Sequence, residues 1–490
     1  MKRITFLAVA AAMMLGNGVE AQHVWKYVAT GDATSYAVRD DGTLWTCGWN
    51  EQGQMGVPEV SERTAEWSLV GSDKDWKLAV GGKAYAFLMK ENGTLWAVGT
   101  AESGVQGTNA TMANRTPAQI GTDSDWAFVT AVRFWGYTGF AIKTDGTLWG
   151  WGSNNAYQLC NGTTTGSTEP VPEPVQIGTD NNWKMITSGD SHVLAIKTDG
   201  TLWGWGNNVT GGLGLSNTED YVYGTPVQIG TDNDWAFVQA ISNRTYAVKT
   251  DGTLWATGSN INNILGFNQS EEELETNVYE FRQVTAITEP VITVSGCEET
   301  VSIATGTNGV IEHVYMWGTN ADGALGDGNG RLWQGSSANI PLETTPVSPL
   351  LPEGLTYSVL SSGQCYSLAL ASDGTLYGWG RNKGGQLGDG TEYDVLQLSY
   401  YKKPFEIECP QNEVGAVKGV RNDGVVTFDG VRIMAQERVS NVSLFGMNGQ
   451  TVMQRDVVEG TYGLERLPKG LYILQYEYNG ELYVQKIVRR

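Results

Sequence analysis

One five-residue phrase, returning about every fifty positions, constrains this 490-residue chain more than any other feature. Asp-Gly-Thr-Leu-Trp is complete at 41–45, 145–149, 199–203 and 251–255, with variants at 92–96 and 373–377. A worn copy begins at Asn308-Gly309 and resumes at Met316-Trp317-Gly318. Between the Asp or Asn anchors the steps are 51, 53, 54, 52, 57 and 65 residues, which makes seven units. A period of this size marks an architecture in which each unit buries its apolar faces only against its neighbours.

The fourth unit shows the internal order. Short β-prone runs at 183–188, 193–197 and 201–206 are separated by Gly, Asp and Asn, and a fourth run follows at 225–230. The Asp-Gly step predicts a two-residue hairpin turn, because glycine accepts the positive φ such turns need. Four strands repeated seven times predict a radial β-propeller. The first unit starts at Trp25 and the last ends near Ile407, so the two termini are expected to share one blade and close the ring by strand pairing. The sixth unit departs most, with about ten extra residues between Phe281 and Val301 and an acidic run at 271–275.

The units resemble repeats of the regulator of chromosome condensation family, whose pattern runs Asp-Gly, aromatic, Trp-Gly, Asn, then Gly-Gln-Leu-Gly. Matching residues are Trp151-Gly152 with Asn154, Trp205-Gly206 with Asn208, Trp317-Gly318 with Asn320 and Leu325-Gly326, and Trp379-Gly380 with Asn382 and Leu387-Gly388. The resemblance covers roughly residues 22–408. It implies the fold and leaves the function open, since function lives in sites grafted onto a fold.

Lys2 and Arg3, an apolar stretch and Val19-Glu20-Ala21 read as an export signal over 1–21. No later segment approaches the roughly 20 apolar residues a membrane helix needs. From 411 to the end, short alternating strands with turns at Asn448-Gly449 and Asn479-Gly480 describe a small immunoglobulin-like β-sandwich. These residues are similar to the C-terminal sorting domain of the Bacteroidetes type IX secretion system. The match rests on Asn448 and Gly449 in 444–450, Gly470 and Tyr472 in 467–472, and Lys486 near the end. That resemblance implies engagement of the secretion machinery and delivery to the outer-membrane surface or the medium; the bland alternative is a binding module. The expected organisation is thus a signal, an all-β seven-bladed propeller over 22–408 and a sorting domain over 411–490.

Residues 22–410 hold 20 basic and 43 acidic side chains, a surface that repels phosphate backbones and argues against nucleic-acid binding. The five cysteines lack the close spacing of a zinc or redox pair and read as scattered buried thiols. The 18 tryptophans mostly recur at fixed repeat positions (Trp76, Trp126, Trp183, Trp235; Trp96, Trp149, Trp203, Trp255), which points to packing rather than sugar stacking. The acidic turns Asp73/Asp75, Asp123/Asp125 and Asp232/Asp234 recur before each first strand and read as turn chemistry. The segment 322–330 has a passing likeness to a calcium loop without its bidentate Glu. No phosphate loop, nucleophile elbow or histidine metal spacing is present, so neither a catalytic residue nor a cofactor is assigned.

The loop between the first two strands differs from unit to unit, and equivalent loops gather on one rim. Phe134, Trp135, Tyr137, His192, Arg244 and Gln364 are the resulting partner-contact candidates, on the argument that unlike side chains do no common structural job; Phe134 and Trp135 filling a local core is the alternative. The expected function is that of an exported, monomeric propeller that binds a protein or glycan through this rim. The alternatives are an extracellular hydrolase or lyase using rim carboxylates, and a guanine-nucleotide exchange activity like that of the family's namesake. Export and acidity oppose the last.

Overall fold

The computed structural model describes residues 23–132, 136–160, 169–216, 221–267, 276–331, 340–390, 400–410, 426–428, 432–446, 451–464, 468, 470–478 and 481–489. Apart from two short 3₁₀ turns, its regular structure is antiparallel β-sheet. Seven sheets of four strands follow one another along the chain as the blades of a propeller. Their first strands are Trp25–Thr30, Trp76–Gly81, Trp126–Ala131, Trp183–Ser188, Trp235–Ile241, Val291–Gly296 and Tyr357–Gly363. Only the sixth and seventh sheets share a ladder pair, Ile311 with Tyr357, reached by a lengthened sixth hairpin. Among the described residues no helix is long and apolar enough to cross a membrane.

The repeated phrase is a folding unit in miniature. In the first copy the Asp41 carboxylate accepts from the Thr43 backbone N–H (3.2 Å) and hydroxyl (2.7 Å), and the Trp45 indole N–H donates to the same hydroxyl oxygen (2.9 Å). The relay recurs with Asn92, Asp145, Asp199 and Asp251. It pins the indole against the hairpin that carries it. The turn itself differs from the expected two-residue form. In the first hairpin Gly42 N–H donates to Arg39 C=O, and of Asp40, Asp41 and Gly42 only the glycine has positive φ, at 81°. This is the three-residue turn with a left-handed glycine, since one more residue separates the strands. The two-residue form occurs in the worn sixth copy, where Asn308 (φ 53°) and Gly309 (φ 77°) are both left-handed.

A second glycine is equally determined. Gly48, Gly99, Gly152, Gly206, Gly258, Gly318 and Gly380 have φ between 89° and 108° and sit where the third strand's pairing to the fourth slips. A Cβ there would meet a carbonyl oxygen at 2.2–2.6 Å. In six units, all but the second where Ala101 stands, a buried Asn follows two residues on and its carbonyl oxygen accepts a backbone N–H five residues further, as Asn154 does from Leu159 (2.9 Å) and Asn382 from Leu387 (2.9 Å). That contact curls the loop so the leucine enters the core.

The core is divided among the joints. Seven clusters of buried side chains each draw from two adjacent blades, for example Tyr36, Leu44 and Met55 with Trp76 and Leu88. Trp151, Trp205, Trp317 and Trp379, at one position on the third strand, donate their indole N–H backwards to a loop carbonyl of the preceding blade: Val105, Gln158, Ile264 and Ala324, at 2.7–3.0 Å. Thr257 reaches Gly211 C=O likewise. Buried indoles demand an acceptor, and the neighbouring loop supplies it.

The shared closing blade does not exist. The first sheet runs Trp25 to Leu69 and the seventh Tyr357 to Ile407, each with four consecutive strands. The ring closes instead through a joint like the other six. Cys47, at the tryptophan position, contacts Gln386 C=O (3.5 Å), Thr30 bonds Ser361 (2.9 Å), and Trp25 and Trp67 pack with Leu368 and Leu387. Each unit starts with its own first strand and ends with its own fourth, so the N-terminal segment has no strand to lend.

The recurrent acidic turns do more than turn. Lys90, Lys143, Lys197 and Lys249 end the second strands, and each ammonium lies between two indoles, 3.9–5.1 Å from their centroids. Asp73, Asp123, Asp180 and Asp232 bind these ammonium groups at 2.6–2.7 Å, and Asp75, Asp125 and Asp234 add second contacts. Burial opposes the charge, but the carboxylates outweigh it and hold Lys90, Lys143 and Lys249 above the usual lysine range. The sixth blade has no such cation: Glu289 accepts from Thr305 (2.6 Å) and Tyr315 (3.0 Å) and pairs with His313 (3.0 Å).

In the C-terminal segment the long strand Arg432–Gly446 pairs along one edge with Thr451–Gly463, and along the other first with Val426–Phe428 and then with Gly470–Tyr478. Glu481–Arg489 completes this small β unit, whose own core includes Leu444, Leu464 and Leu474. Gly470 pairs with Arg489, Lys486 with Ile473, and buried Tyr472 donates its hydroxyl to Pro468 C=O (2.8 Å); Asn448 and Gly449 lie outside the described residues.

Two substitutions check this account by urea unfolding. Trp151→Phe strands the Val105 carbonyl and leaves a small void, and is expected to cost about 2–3 kcal/mol. Lys197→Met keeps the stem but removes the charge between Trp183 and Trp203, and is expected to cost about 1 kcal/mol.

Candidate functional site

The first strands of all seven blades line a central cavity of about 280 Å³. Their third residues form an apolar ring around it: Tyr27, Leu78, Phe128, Met185, Phe237 and Val359, with Thr293 at the seventh place. At one end the loops between first and second strands form the mouth. Successive loops are tied by backbone hydrogen bonds, Asp32 N–H to Gly82 C=O (3.1 Å), Asp190 N–H to Ser242 C=O (3.0 Å) and Gln364 N–H to Asp32 C=O (3.0 Å).

The candidates divide at this rim. Phe134 and Trp135 lie outside the described residues. Tyr137 is half-buried, 6.3 Å from the Tyr85 ring with Lys83 Nζ 6.0 Å from its centroid, and burial aided by Glu102 pushes its hydroxyl up to about 12. Half-buried Gln364 accepts from Arg381 (3.3 Å). His192 and Arg244 are not contact residues. They are 2 % and 6 % exposed; His192 Nε2 bonds the Thr245 hydroxyl of the next blade (3.0 Å), and Arg244 donates to Glu298 C=O of its next blade (2.6 Å). Tyr85 and Tyr366 occupy the equivalent place and likewise reach forward, to Val132 C=O (3.0 Å) and Thr34 C=O (2.9 Å). These unlike side chains share one structural task, which overturns the premise on which they were selected.

More open positions lie two residues earlier, at Asp32, Lys83, Asp190, Glu298 and Gln364, which are half-buried or exposed; Gly136 and Ser242 at the same place are buried, and the Ser242 hydroxyl donates to the Asp190 carboxylate of the preceding blade (2.8 Å). Sequence reading missed most of these, because nothing local separates a side chain aimed at the next blade from one aimed at solvent. Charged groups stand among and beside them. Burial raises Asp32 to about 6 against the pull of Lys83, and burial with Cys297 also raises Glu299. Arg381 donates to Asp322 (2.6 Å), and Asp327 accepts from Asn320 (2.8 Å), so both carboxylates of the calcium-like segment have protein partners. The group His23, Asp40 and Asp41 brings ligand-type atoms within 4.8 Å, but Asp41 is held by Arg39 and Thr43.

Burial lowers the His192 imidazole to about 4, below its ordinary 6.5. A depressed folded value means that the unfolded chain takes the proton first, so stability present above pH 6.5 is lost as pH falls towards 4. The full effect is on the order of 3 kcal/mol. Replacing His192 with Gln is expected to flatten the decline in urea midpoint between pH 7 and pH 5; equal slopes would contradict a buried neutral imidazole.

Comparison with known proteins agrees with this geometry. Models of the regulator of chromosome condensation (RCC1) repeat match residues 145–196, 199–242 and 373–420, and, in a second form, 25–54, 184–211 and 359–386; the secretion system C-terminal sorting domain matches 427–490. The Arabidopsis thaliana ultraviolet-B receptor UVR8 is 30% identical over 54% of this chain and 54% of its own length. The Bos taurus secretion-regulating guanine nucleotide exchange factor is 27% identical over 56% and 55%. The chain thus spans about half the length of these relatives. Among solved structures, human WBSCR16 superposes with a TM-score of 0.62 at 17% identity (75% of this chain, 95% of that one), and yeast RCC1 (Prp20) bound to Kap60 with 0.61 at 16% (84% and 91%). The chain therefore carries RCC1 repeats folded as a propeller, followed by a type IX C-terminal sorting domain that marks it as a secreted or surface-located protein.

Proposed function

We propose that this protein is an exported binding propeller that recognises a protein partner through the mouth formed by its first-to-second-strand loops. The observation that carries the reading is the contrast at the mouth between buried side chains that bridge the blades and side chains, a step away, that change from blade to blade and are mostly half-buried or exposed. Asp32, Asp190 and Glu298 outnumber Lys83 there, and the propeller as a whole is acidic, which favours a partner offering basic side chains. A glycan is the competing ligand, and the order of domains, with a signal at 1–21 and sorting residues after 411, belongs to the same proposal.

A hydrolase reading has one observation in its favour, the raised values of Asp32 and Glu299 in the mouth loops of the first and sixth blades. Release of sugars or peptides from supplied polymers by the purified protein, abolished in Asp32→Asn, would establish it.

The binding reading is tested by capturing partners from culture and host extracts and measuring affinity by calorimetry. Glu298→Lys with Tyr137→Ala is expected to weaken binding tenfold or more, while Glu91→Gln at the opposite end leaves it unchanged. Equal affinity in all three would remove the mouth from the interface.

A further inference from the structure

Three of the five cysteines are buried, and two of these are not scattered. Cys297 and Cys365 are sixty-eight residues apart in sequence but occupy the mouth loops of the sixth and seventh blades, which adjoin. The strands leading into the two loops are tied together: Ser362 N–H donates to Ser295 Oγ (2.9 Å), and the Ser302 and Ser362 hydroxyls bond each other (2.8 Å). Cys297 Sγ also lies 3.0 Å from Thr300 Oγ1. Cys365 has a φ of 60° and its carbonyl accepts from Arg381 N–H (2.8 Å), which fixes its backbone at the joint. Each thiol perturbs the other: Cys365 holds Cys297 below the ordinary thiol range, and Cys297 pushes Cys365 above it. Cys47, Cys160 and Cys409 show no such coupling to a second thiol, and burial raises each of them.

We propose that Cys297 and Cys365 are oxidised to a disulfide in the exported protein, a covalent tie between the sixth and seventh blades at the channel mouth. The oxidant is a disulfide, either a small molecule or a protein of the oxidising compartment through which exported chains pass. Cys297, which its neighbour's donors favour as thiolate, attacks one sulfur of that disulfide and releases the other as a thiol, leaving a mixed disulfide. Cys365 then gives up its proton, attacks the Cys297 sulfur and expels the second thiol. One S–S bond forms in the protein and one is broken in the oxidant, and two electrons and two protons pass to the oxidant's sulfurs. Both cysteines are almost fully buried in the finished ring, at 1 % and 3 % exposure, so the exchange belongs to the stage before the two blades close on each other. Once formed, the bond shortens the reach of the unfolded chain across this loop and resists reduction in the native ring.

The test is a peptide map of the full chain, purified without reductant, unfolded and refolded with oxidised glutathione, alkylated under denaturing conditions and digested. The expected result is a peptide pair joined through Cys297 and Cys365, lighter by two hydrogens than the separate thiols and released by dithiothreitol, with Cys47, Cys160 and Cys409 alkylated. Wild type should melt a few degrees lower after reduction, whereas Cys365→Ser should melt at one temperature with or without reductant. Alkylation of Cys297 and Cys365 without prior reduction would overturn the proposal. So would glutathione retained on either one, or a link from either to another cysteine. The map uses wild-type protein, so its outcome does not depend on whether a variant folds, and it stands apart from the identity of any binding partner.

Discussion

Six of the seven joints rest on a group at the end of the third strand that reaches back to a carbonyl of the preceding blade; at the joint of the first and second blades the apolar Val98 stands there and only packs. An indole buried between two sheets has a large apolar body to hide and one N–H that cannot be left unpaired, and the neighbouring loop satisfies both requirements at once. Trp151, Trp205, Trp317 and Trp379 do this with full-sized rings, Thr257 with a hydroxyl and Cys47 with a thiol. The last case matters most. Because Cys47 addresses the seventh blade as Trp151 addresses the second, the closing joint differs from the others in detail and not in kind. A latch built by exchanging strands is then unnecessary.

The same logic separates scaffold from surface at the mouth. Side chains at the start of the second strand face the next blade, and chemistry there is free to vary as long as a hydrogen bond crosses the joint: a phenol in Tyr85, an imidazole in His192, a guanidinium in Arg244. Two residues earlier most side chains are half-buried or exposed, and apart from the Ser242–Asp190 bond their variation is less constrained by the neighbouring blade. A partner is read by the second set, held in register by the first.

Much of the fold was legible because the decisive groups are local. The Asp-Gly-Thr-Leu-Trp relay spans five residues, the Trp-Gly step carries a bulge that admits only glycine, and the buried Asn bonds a backbone five residues on; each leaves its mark wherever it occurs. What escaped reading depended on neighbours in space. The lysine clamp joins an acidic turn to a side chain about seventeen residues later, so the aspartates looked like turn formers alone. The extra residue in the Asp-Gly hairpins was hidden by a dipeptide that serves two turn types. His192 and Arg244 looked like surface variation because the partners that bury them, Thr245 and Glu298, lie in the next repeat. Cys297 and Cys365 seemed isolated for the same reason.

Blades made from unbroken stretches of chain, joined by seven apolar seams that each draw on two neighbours, leave the propeller without a privileged beginning. Cutting between any two units and linking the present ends would remove no strand from its sheet and leave each joint intact, so the arrangement tolerates being re-started at another repeat. A gene that grows by duplicating such a unit need only widen the circle, and each rim loop can drift towards a new contact while the joints on either side of it stay as they are.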